Sequence, residues 1–350
     1  MKLRSLLAAA ALTAAALVVP SPAYADSGDF GLVWDAVPTL ADQWFTAGGR
    51  SAHIVRSGTG SYTVTLLGRG NPGGNVQVMA VTTGDAYCQA GGWYQSGVDE
   101  VFTVYCYTGA GVATDIGWSA DYVYRSGTGG QYAYLWANQP TNTATYTPSP
   151  QYAYDSTGGT PQISRWSAGH YWVYLPASVG LGWVTPESFQ VTAYGWTPAH
   201  CQLSSPLHDD GWQEVACDDT HGSPVDAYFD VRFAYHRAFI GVTGVPYTYG
   251  YVTDDARTLY AYSSTGLTGT SALTTTHTAT GRYTVRLAKV MTSDEPFANA
   301  YATNDIATYC SVDSWSTAET TEILDVSCRS AVTGAAADSP FFVNFTALHH

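Results

Sequence analysis

The feature that most constrains the fold is an internal repetition of about 110 residues, which occurs three times along the chain. Its clearest unit is glycine-x-tyrosine-x-valine-x-leucine, which stands at residues 60–66, 169–175 and 281–287. One pair of cysteines follows each copy: Cys88 and Cys106, Cys201 and Cys217, Cys310 and Cys328. Such a period predicts three copies of one supersecondary unit rather than a single large core.

The cysteines predict one disulfide in each repeat. Six cysteines allow 15 pairings in principle, but equivalent repeats must each close their own pair. The enclosed loops are about 17 residues long, for which loop-closure entropy gives roughly 3 kcal/mol of stabilisation each. Since no pair has the CxxC spacing, a redox or zinc role is not expected. Disulfides also indicate an oxidising compartment.

The N-terminus predicts export. A charged start, an apolar run at residues 6–19 and the small-x-small site Ala23-Tyr24-Ala25 follow one another, as in a cleaved secretory signal. The apolar run of about 14 residues is shorter than the roughly 20 that a membrane-spanning helix needs. We therefore expect a signal peptide at residues 1–25 and a secreted, extracellular mature chain at residues 26–350.

The mature chain is acidic. Loss of the leader removes Lys2 and Arg4 and no acid, so 12 of the 14 basic residues remain against 28 acidic ones, a balance of −16. Binding to nucleic acid and to anionic membranes depends on clustered lysine and arginine. Neither partner is therefore expected, and the acidity is typical of a soluble exported protein.

Residue alternation within each copy predicts β structure. Apolar and polar residues alternate with period two between clusters of Gly, Pro, Asn, Ser and Thr, which is typical of short antiparallel strands. The predicted fold class is all-β, with three tandem small antiparallel β-sandwich domains of the immunoglobulin-like class. Aligned copies place these domains at residues 26–127, 128–237 and 238–350. The joins lack long linkers, so we expect a short, directly packed array.

The repeat resembles one from a known group of proteins. Its pattern is Gly-x-Tyr-Thr-Val-x-Leu, then Val-Gln-Val-x-Ala, then Tyr-Cys with a nearby tryptophan. This resembles a tandem, disulfide-containing β repeat of about 110 residues in secreted proteins of actinobacterial type. The resemblance covers all three copies, and the first and third keep it best. It implies secretion and a β fold, and it implies no activity, because none is known for that repeat.

One strand of the second copy differs from its equivalents. Its presumed core face carries Tyr171 and Val173, and the opposite face carries His170, Trp172 and Tyr174. The equivalent positions hold serine and threonine in the first copy, and arginine and threonine in the third. Flat aromatic side chains can stack on sugar rings or anchor a protein partner. We therefore predict His170, Trp172 and Tyr174 as ligand-binding residues.

Tryptophan usage agrees with this interpretation. The second copy holds most of the tryptophans of the chain: Trp136, Trp166, Trp172, Trp183, Trp196 and Trp212. An alternative explanation is that the central repeat uses these side chains to pack against its two neighbours.

A second group of possible ligands lies between and just after the cysteines of the second copy. Its members are histidines and aspartates: His200, His208, Asp209, Asp210, Asp218, Asp219 and His221. Their spacing matches no EF-hand or zinc motif, so we interpret the group as a solvated acidic loop and predict neither metal nor cofactor. Three recurrent aspartates, Asp115, Asp226 and Asp338, are interpreted as residues that hydrogen-bond their own turns.

The sequence carries no familiar catalytic signature. It has no G-x-S-x-G elbow, H-E-x-x-H helix, phosphate loop or dinucleotide fingerprint, and the three copies share no histidine. We therefore predict a secreted, non-enzymatic binding protein that recognises extracellular glycan or a partner protein through the aromatic face of the second repeat. The alternatives are an extracellular structural or assembly protein without a small ligand, and a secreted inhibitor or toxin component.

Overall fold

The computed structural model describes most of the chain. The described residues are 29–35, 43–46, 52–125, 129–181, 187–205, 210–241, 245–288, 295–304, 306–318 and 321–348. Within these ranges the chain is all-β, as predicted, with two short 3-10 helices at Pro176–Ser178 and Gly269–Ser271 and no α-helix. The same residues include no helix that is long and apolar enough to cross a membrane. The predicted signal peptide, residues 1–25, lies outside the described residues.

The strands fall into three groups of eight. The first group is β1 (Asp29–Asp35), β2 (Gln43–Thr46), β3 (Ala52–Gly58), β4 (Ser61–Leu66), β5 (Asn75–Val81), β6 (Ala86–Ser96), β7 (Asp99–Thr108) and β8 (Gly117–Tyr124). The second is β9 (Gln131–Ala137), β10 (Ala153–Asp155), β11 (Gln162–Ser167), β12 (His170–Tyr174), β13 (Glu187–Tyr194), β14 (His200–Ser205), β15 (Trp212–Asp218) and β16 (Tyr228–Tyr235). The third is β17 (Tyr247–Val252), β18 (Thr258–Ser263), β19 (Leu273–Ala279), β20 (Arg282–Ala288), β21 (Glu295–Ala302), β22 (Thr308–Thr317), β23 (Thr321–Ser330) and β24 (Phe341–Leu348).

The strand order of the first repeat recurs in the other two. Each repeat contributes two four-stranded antiparallel groups to the sheets. In the first repeat their orders are β2-β1-β8-β5 and β3-β4-β7-β6, in the second β10-β9-β16-β13 and β11-β12-β15-β14, and in the third β18-β17-β24-β21 and β19-β20-β23-β22. The internal repetition of the sequence is therefore a repetition of topology.

The three repeats close into a cycle. Strand β13 of the second repeat pairs in parallel with β6 of the first through Tyr194 and Ala90. Strand β5 of the first pairs with β22 of the third through Val81 and Val312, and Leu203 of β14 forms the equivalent parallel bridge with residue 303, just after β21. The arrangement has pseudo-threefold symmetry, a cyclic closure that the prediction of a short, directly packed array did not specify. The division into separate domains remains a prediction, because strands from different repeats share sheets.

Equivalent hydrogen bonds close each junction. The residue after the first cysteine of a repeat donates to backbone carbonyls of the next one around the cycle. Gln89 Nε2 donates to Gly195 O at 2.7 Å, and Gln202 Nε2 donates to Ile306 O at 2.8 Å. Ser311, the third equivalent, donates to a carbonyl of the first repeat. Nothing in the sequence pattern predicted this use of the position.

An apolar core lies between the two strand groups of each repeat. Val64 and Trp118 belong to the first core, Val173 and Phe189 to the second, and Val285 with its neighbours to the third. Burial of each such side chain is worth about 1.5–3 kcal/mol. The alternation that predicted strands thus marks the side chains that hold each pair of sheets together.

The glycine of the repeated unit is required by its backbone. Gly60, Gly169 and Gly281 have positive φ angles of 61°, 72° and 63°. Residues other than glycine rarely adopt this backbone conformation. A Cβ atom at Gly60 would lie 2.3 Å from Cys106 O. The carbonyl of Gly60 also accepts a hydrogen bond from Cys106 N at 2.8 Å. The hairpin turn and the disulfide-bearing strand therefore depend on each other.

The recurrent aspartates are structural, but the prediction that they bond their own turns was wrong. Asp115 accepts hydrogen bonds from Gly60 N at 2.9 Å and from the Tyr62 hydroxyl at 2.8 Å, and it forms an ion pair with Arg56. Asp226 and Asp338 use the equivalent glycine and tyrosine, with Arg165 and His277 in the place of Arg56. Each aspartate thus ties the loop before the last strand of its repeat to a hairpin more than fifty residues away.

The three disulfides join neighbouring strands of single repeats. Cys88 and Cys106 stand opposite each other on β6 and β7, with Cα atoms 4.1 Å apart. The other pairs, Cys201–Cys217 and Cys310–Cys328, hold the equivalent positions. Three such bonds fit an oxidising environment.

Polar residues lie at the centre of the cycle. Asp121, Arg232 and Asn344 hold equivalent positions of β8, β16 and β24, and all three are buried. Arg232 donates to Asp121, and its Nε donates to Asn75 Oδ1 at 3.1 Å. Ser188 of the second repeat donates to Asn344 of the third. The centre is therefore held by polar contacts between repeats as well as by apolar packing.

A buried carboxyl group on β7 should make the native state less stable as the pH rises above the acid range. Glu100 is fully buried, and its burial raises the pKa to about 8 although Asn71 N donates to it. The native state therefore holds a proton that the unfolded state loses near pH 4.5, so stability falls as the pH rises through this window. We expect Glu100→Gln to raise the free energy of unfolding by about 2 kcal/mol at pH 8 and to change little below pH 4.5. Urea unfolding across this range measures the difference.

Glu322 provides the matched control. It holds the equivalent position on β23, where it accepts a hydrogen bond from the Thr317 hydroxyl at 2.6 Å, which an amide oxygen also accepts. Glu322→Gln should therefore change stability less than Glu100→Gln. Equal effects of the two substitutions at every pH would contradict the explanation from burial.

Candidate ligand-binding surface

The three predicted site residues lie in one row on β12. Tyr171 and Val173 of this strand are buried in the core. His170, Trp172 and Tyr174 are half-buried on the opposite face. Because side chains alternate along a strand, these three point to the same side of the sheet.

Two more aromatic side chains extend the row onto neighbouring strands. The ring of Trp166, on β11, lies 4.9 Å from that of His170. The ring of Trp212, on β15, lies 5.1 Å from that of Tyr174, its partner in the strand register. We call Trp166, His170, Trp172, Tyr174 and Trp212 the aromatic strip.

Trp166 and Trp212 belong to the tryptophan excess of the second copy, but the sequence pattern did not place them at the site. Their position depends on the register of three strands, and that register shifts between Arg165 and Ser167. Alternation within one segment does not reveal which residues of separate strands become neighbours. The tryptophan excess itself was the one signal that could have drawn attention to them.

Polar side chains flank the middle of the strip. Ser164 and Glu214 stand on either side of Trp172 in the register of β11, β12 and β15. Glu214 Oε1 lies 3.7 Å from His170 Nδ1, which is too far for a hydrogen bond. The strip thus combines flat rings with a hydroxyl and a carboxylate at its edges.

The equivalent positions of the other repeats have different chemistry. In the first repeat, Thr63 and Thr65 replace Trp172 and Tyr174 on β4. In the third, Thr284 and Arg286 occupy these positions on β20, and the Thr284 hydroxyl donates to Asp325 at 2.9 Å. Since the strand is the same and only the outward side chains change, the fold itself does not require aromatic residues there.

Packing between repeats explains part of the tryptophan excess. Trp136 contacts Trp93 of the first repeat, with ring centroids 5.9 Å apart, and also packs against Tyr194 at 5.0 Å. Trp196 is 77% exposed, and Trp183 lies outside the described residues. The ring contacts of Trp166 with His170 and of Tyr174 with Trp212, in contrast, lie within the second repeat.

The structure separates the described members of the predicted acidic loop. Asp219 accepts hydrogen bonds from the backbone of His221 and Ser223, and Asp210 caps the backbone of Trp212 at 3.0 Å. His208 and Asp209 lie outside the described residues. Across the described ranges, no group of three or more His, Cys, Asp or Glu side chains could hold a metal ion.

His200 lies instead at the axis of the cycle. It stands between Tyr87 of the first repeat and Tyr309 of the third, with ring centroids 3.8 and 4.9 Å away. These three residues are equivalent, because each precedes the first cysteine of its repeat. A cavity of about 70 Å³ beside them is lined by all three repeats. Burial lowers the pKa of His200 to about 3, and its Nε2 has no hydrogen-bond partner.

Comparison with known proteins finds no match. No protein-family model, no curated protein and no solved structure matches this chain. The resemblance to a tandem repeat of secreted proteins therefore remains a prediction.

Proposed function

We propose that this chain is a secreted, non-enzymatic binding protein that contacts extracellular glycan through the aromatic strip. The observation that carries the proposal is the row of half-buried rings on β12, which the equivalent strands β4 and β20 lack. The equivalent strands of the other two repeats thus serve as comparison surfaces within the same molecule. Of the three strands, only β12 carries aromatic side chains on this face.

Physical properties of the strip support glycan as the ligand. Aromatic rings offer large apolar faces at a low cost in side-chain entropy, and the polar groups of tyrosine and tryptophan can still hydrogen-bond at the ring edges. Sugar rings present apolar C–H faces with hydroxyl groups around the rim. Ser164 and Glu214 can hydrogen-bond such hydroxyls beside Trp172.

The architecture and location we propose agree with this role. The three disulfides and the acidic composition suit an extracellular protein. We further propose that each repeat is a small β-sandwich of the immunoglobulin-like class, since its two four-stranded groups enclose one apolar core. Such a framework presents a sheet face rigidly, which favours binding without prior ordering.

A double substitution tests the site. Trp172→Ala/Tyr174→Ala removes the two rings at the centre of the strip, so we expect binding to whole cell walls and insoluble polysaccharides to fall at least tenfold. A pull-down with the purified mature protein measures this loss, and circular dichroism checks folding.

Thr63→Ala/Thr65→Ala is the matched control, because it changes the equivalent pair on β4. It should leave binding unchanged. If the native protein is not retained by any of these materials, or if both double variants bind as well as the native protein, the proposed function is wrong.

A further inference from the structure

The aromatic strip is long, and one end of it is exposed. Four residue steps separate His170 from Tyr174, which at about 3.3 Å per residue is roughly 13 Å. Trp166 and Trp212 continue the strip onto the adjacent strands at its two ends, and Trp166 is 55% exposed. The strip does not line the axial cavity. Its shape therefore suits several consecutive units of an extended chain and not a single enclosed sugar.

The charges on this face select among such chains. On β11, β12 and β15, the one arginine is Arg165, which stands opposite Tyr171 and binds Asp226 at 2.8 Å. The face instead carries Glu214, and the whole chain has a formal net charge of −14. An acidic polysaccharide would meet a carboxylate and no arginine or lysine from these strands. Electrostatic repulsion should therefore disfavour it.

The position of Glu214 offers hydrogen bonds in place of charge pairing. It faces Trp172 across the register, so a sugar ring stacked on this tryptophan brings its rim hydroxyls toward the carboxylate. A carboxylate accepts hydrogen bonds from hydroxyl groups and makes them stronger than neutral acceptors do. Stacking and a carboxylate acceptor together suit a ligand rich in hydroxyl donors and free of anionic groups.

We infer that the aromatic strip binds an extended neutral polysaccharide chain, with one sugar ring stacked on Trp172 and its hydroxyls donating to Glu214. This inference rests on the proposed function and narrows its ligand class. It also assigns the acidic character of the face to selectivity against anionic glycans.

Affinity electrophoresis provides the test, because it measures retardation of the full mature chain by soluble polysaccharide in the gel. The neutral probes are hydroxyethylcellulose, xyloglucan and mannan, and the acidic probes are alginate and polygalacturonate. We expect retardation by at least one neutral probe, little change with added salt, and no retardation by acidic ones. Trp172→Thr, which installs the residue found at Thr63 and Thr284, should weaken the neutral interaction at least tenfold.

A charge exchange isolates the role of Glu214. Glu214→Lys should weaken binding to the neutral probe and introduce retardation by alginate that added salt removes. Glu214→Gln, which keeps an acceptor, should retain the neutral interaction more fully than Glu214→Lys. Circular dichroism confirms that each variant folds.

The outcomes separate the two proposals. Retardation by acidic probes that Trp172→Thr abolishes would overturn the inference and leave the proposed function standing. Retardation that Trp172→Thr does not change would overturn both, as would a complete lack of retardation together with a failed pull-down. Neutral retardation that Glu214→Lys leaves unchanged would overturn the assignment of Glu214 and hence the inference.

Discussion

Replacing Arg232 by methionine is expected to lower the free energy of unfolding by about 3–5 kcal/mol. Both members of the Arg232–Asp121 ion pair are fully buried, and the pair joins the second repeat to the first. Burial lowers the pKa of Arg232 to about 9, which still leaves the guanidinium charged at neutral pH. Methionine would remove this charge and leave the Asp121 carboxylate buried without its cation. Guanidinium chloride unfolding at neutral pH measures the loss.

Two further variants show whether the buried pair is the cause. Arg257→Met removes an exposed arginine that pairs with Asp255, and exposed pairs contribute less than about 1 kcal/mol. Arg232→Met combined with Asp121→Leu removes both charges, so it should recover much of the stability lost in the single variant. A single variant as stable as Arg257→Met would show that the centre tolerates an unpaired carboxylate and that our explanation is wrong.

The same central region marks the limit of what the sequence could predict. Strand alternation and cysteine spacing were sufficient for the all-β class and for the disulfides, because both depend on contacts within one repeat. Closure of the cycle depends on β5 and β22, which are separated by most of the chain and meet at a single bridge. Gln77 on β5 looks like a solvent-facing residue in the pattern, yet it is fully buried and accepts a hydrogen bond from Thr192. Alternation reports a polar face and does not reveal that another repeat covers it.

The candidate site shows the same division. His170, Trp172 and Tyr174 were predicted as a row because one strand specifies them. Trp166 and Trp212 joined the row only through the pairing of three strands. Residues whose neighbours come from their own strand were therefore predictable, whereas those placed by strand register were not.

The second large effect concerns His200, at the axis where the three repeats meet. Its ring is packed between the rings of Tyr87 and Tyr309, and Tyr309 donates to Asp85. Asp218 stands opposite His200 on β15, and burial raises the pKa of this carboxyl. Among the residues that the structure describes, no carboxylate forms an ion pair with His200 as Asp121 does with Arg232. Protonation of His200 should therefore destabilise the packing of these three rings, and with it the native state.

The sign of the pH dependence follows from the pKa of His200, which burial lowers from 6.5 to about 3. The unfolded state takes up a proton as the pH falls through 6.5, and the native state does not. The contribution of His200 to stability is therefore complete above pH 6.5 and is lost as the pH falls toward 3. The loss is on the order of 4 kcal/mol over this range, most of it before pH 4. The pKa values of the paired carboxyls Asp115, Asp226 and Asp338 are lowered from 3.8, so their contribution to stability is lost mainly below about pH 4 and is the same with or without His200.

Comparison of native protein with His200→Met isolates this effect. Methionine has no proton to gain and is flexible enough to fill irregular apolar space, so the variant should lose much less stability than the native protein between pH 6.5 and 4. His236, whose pKa is also lowered by burial, remains in both proteins and cancels in the difference. His221→Met changes a histidine whose side chain is 85% exposed and should behave as the native protein does. Parallel pH profiles for all three proteins would show that the axial histidine does not control acid stability.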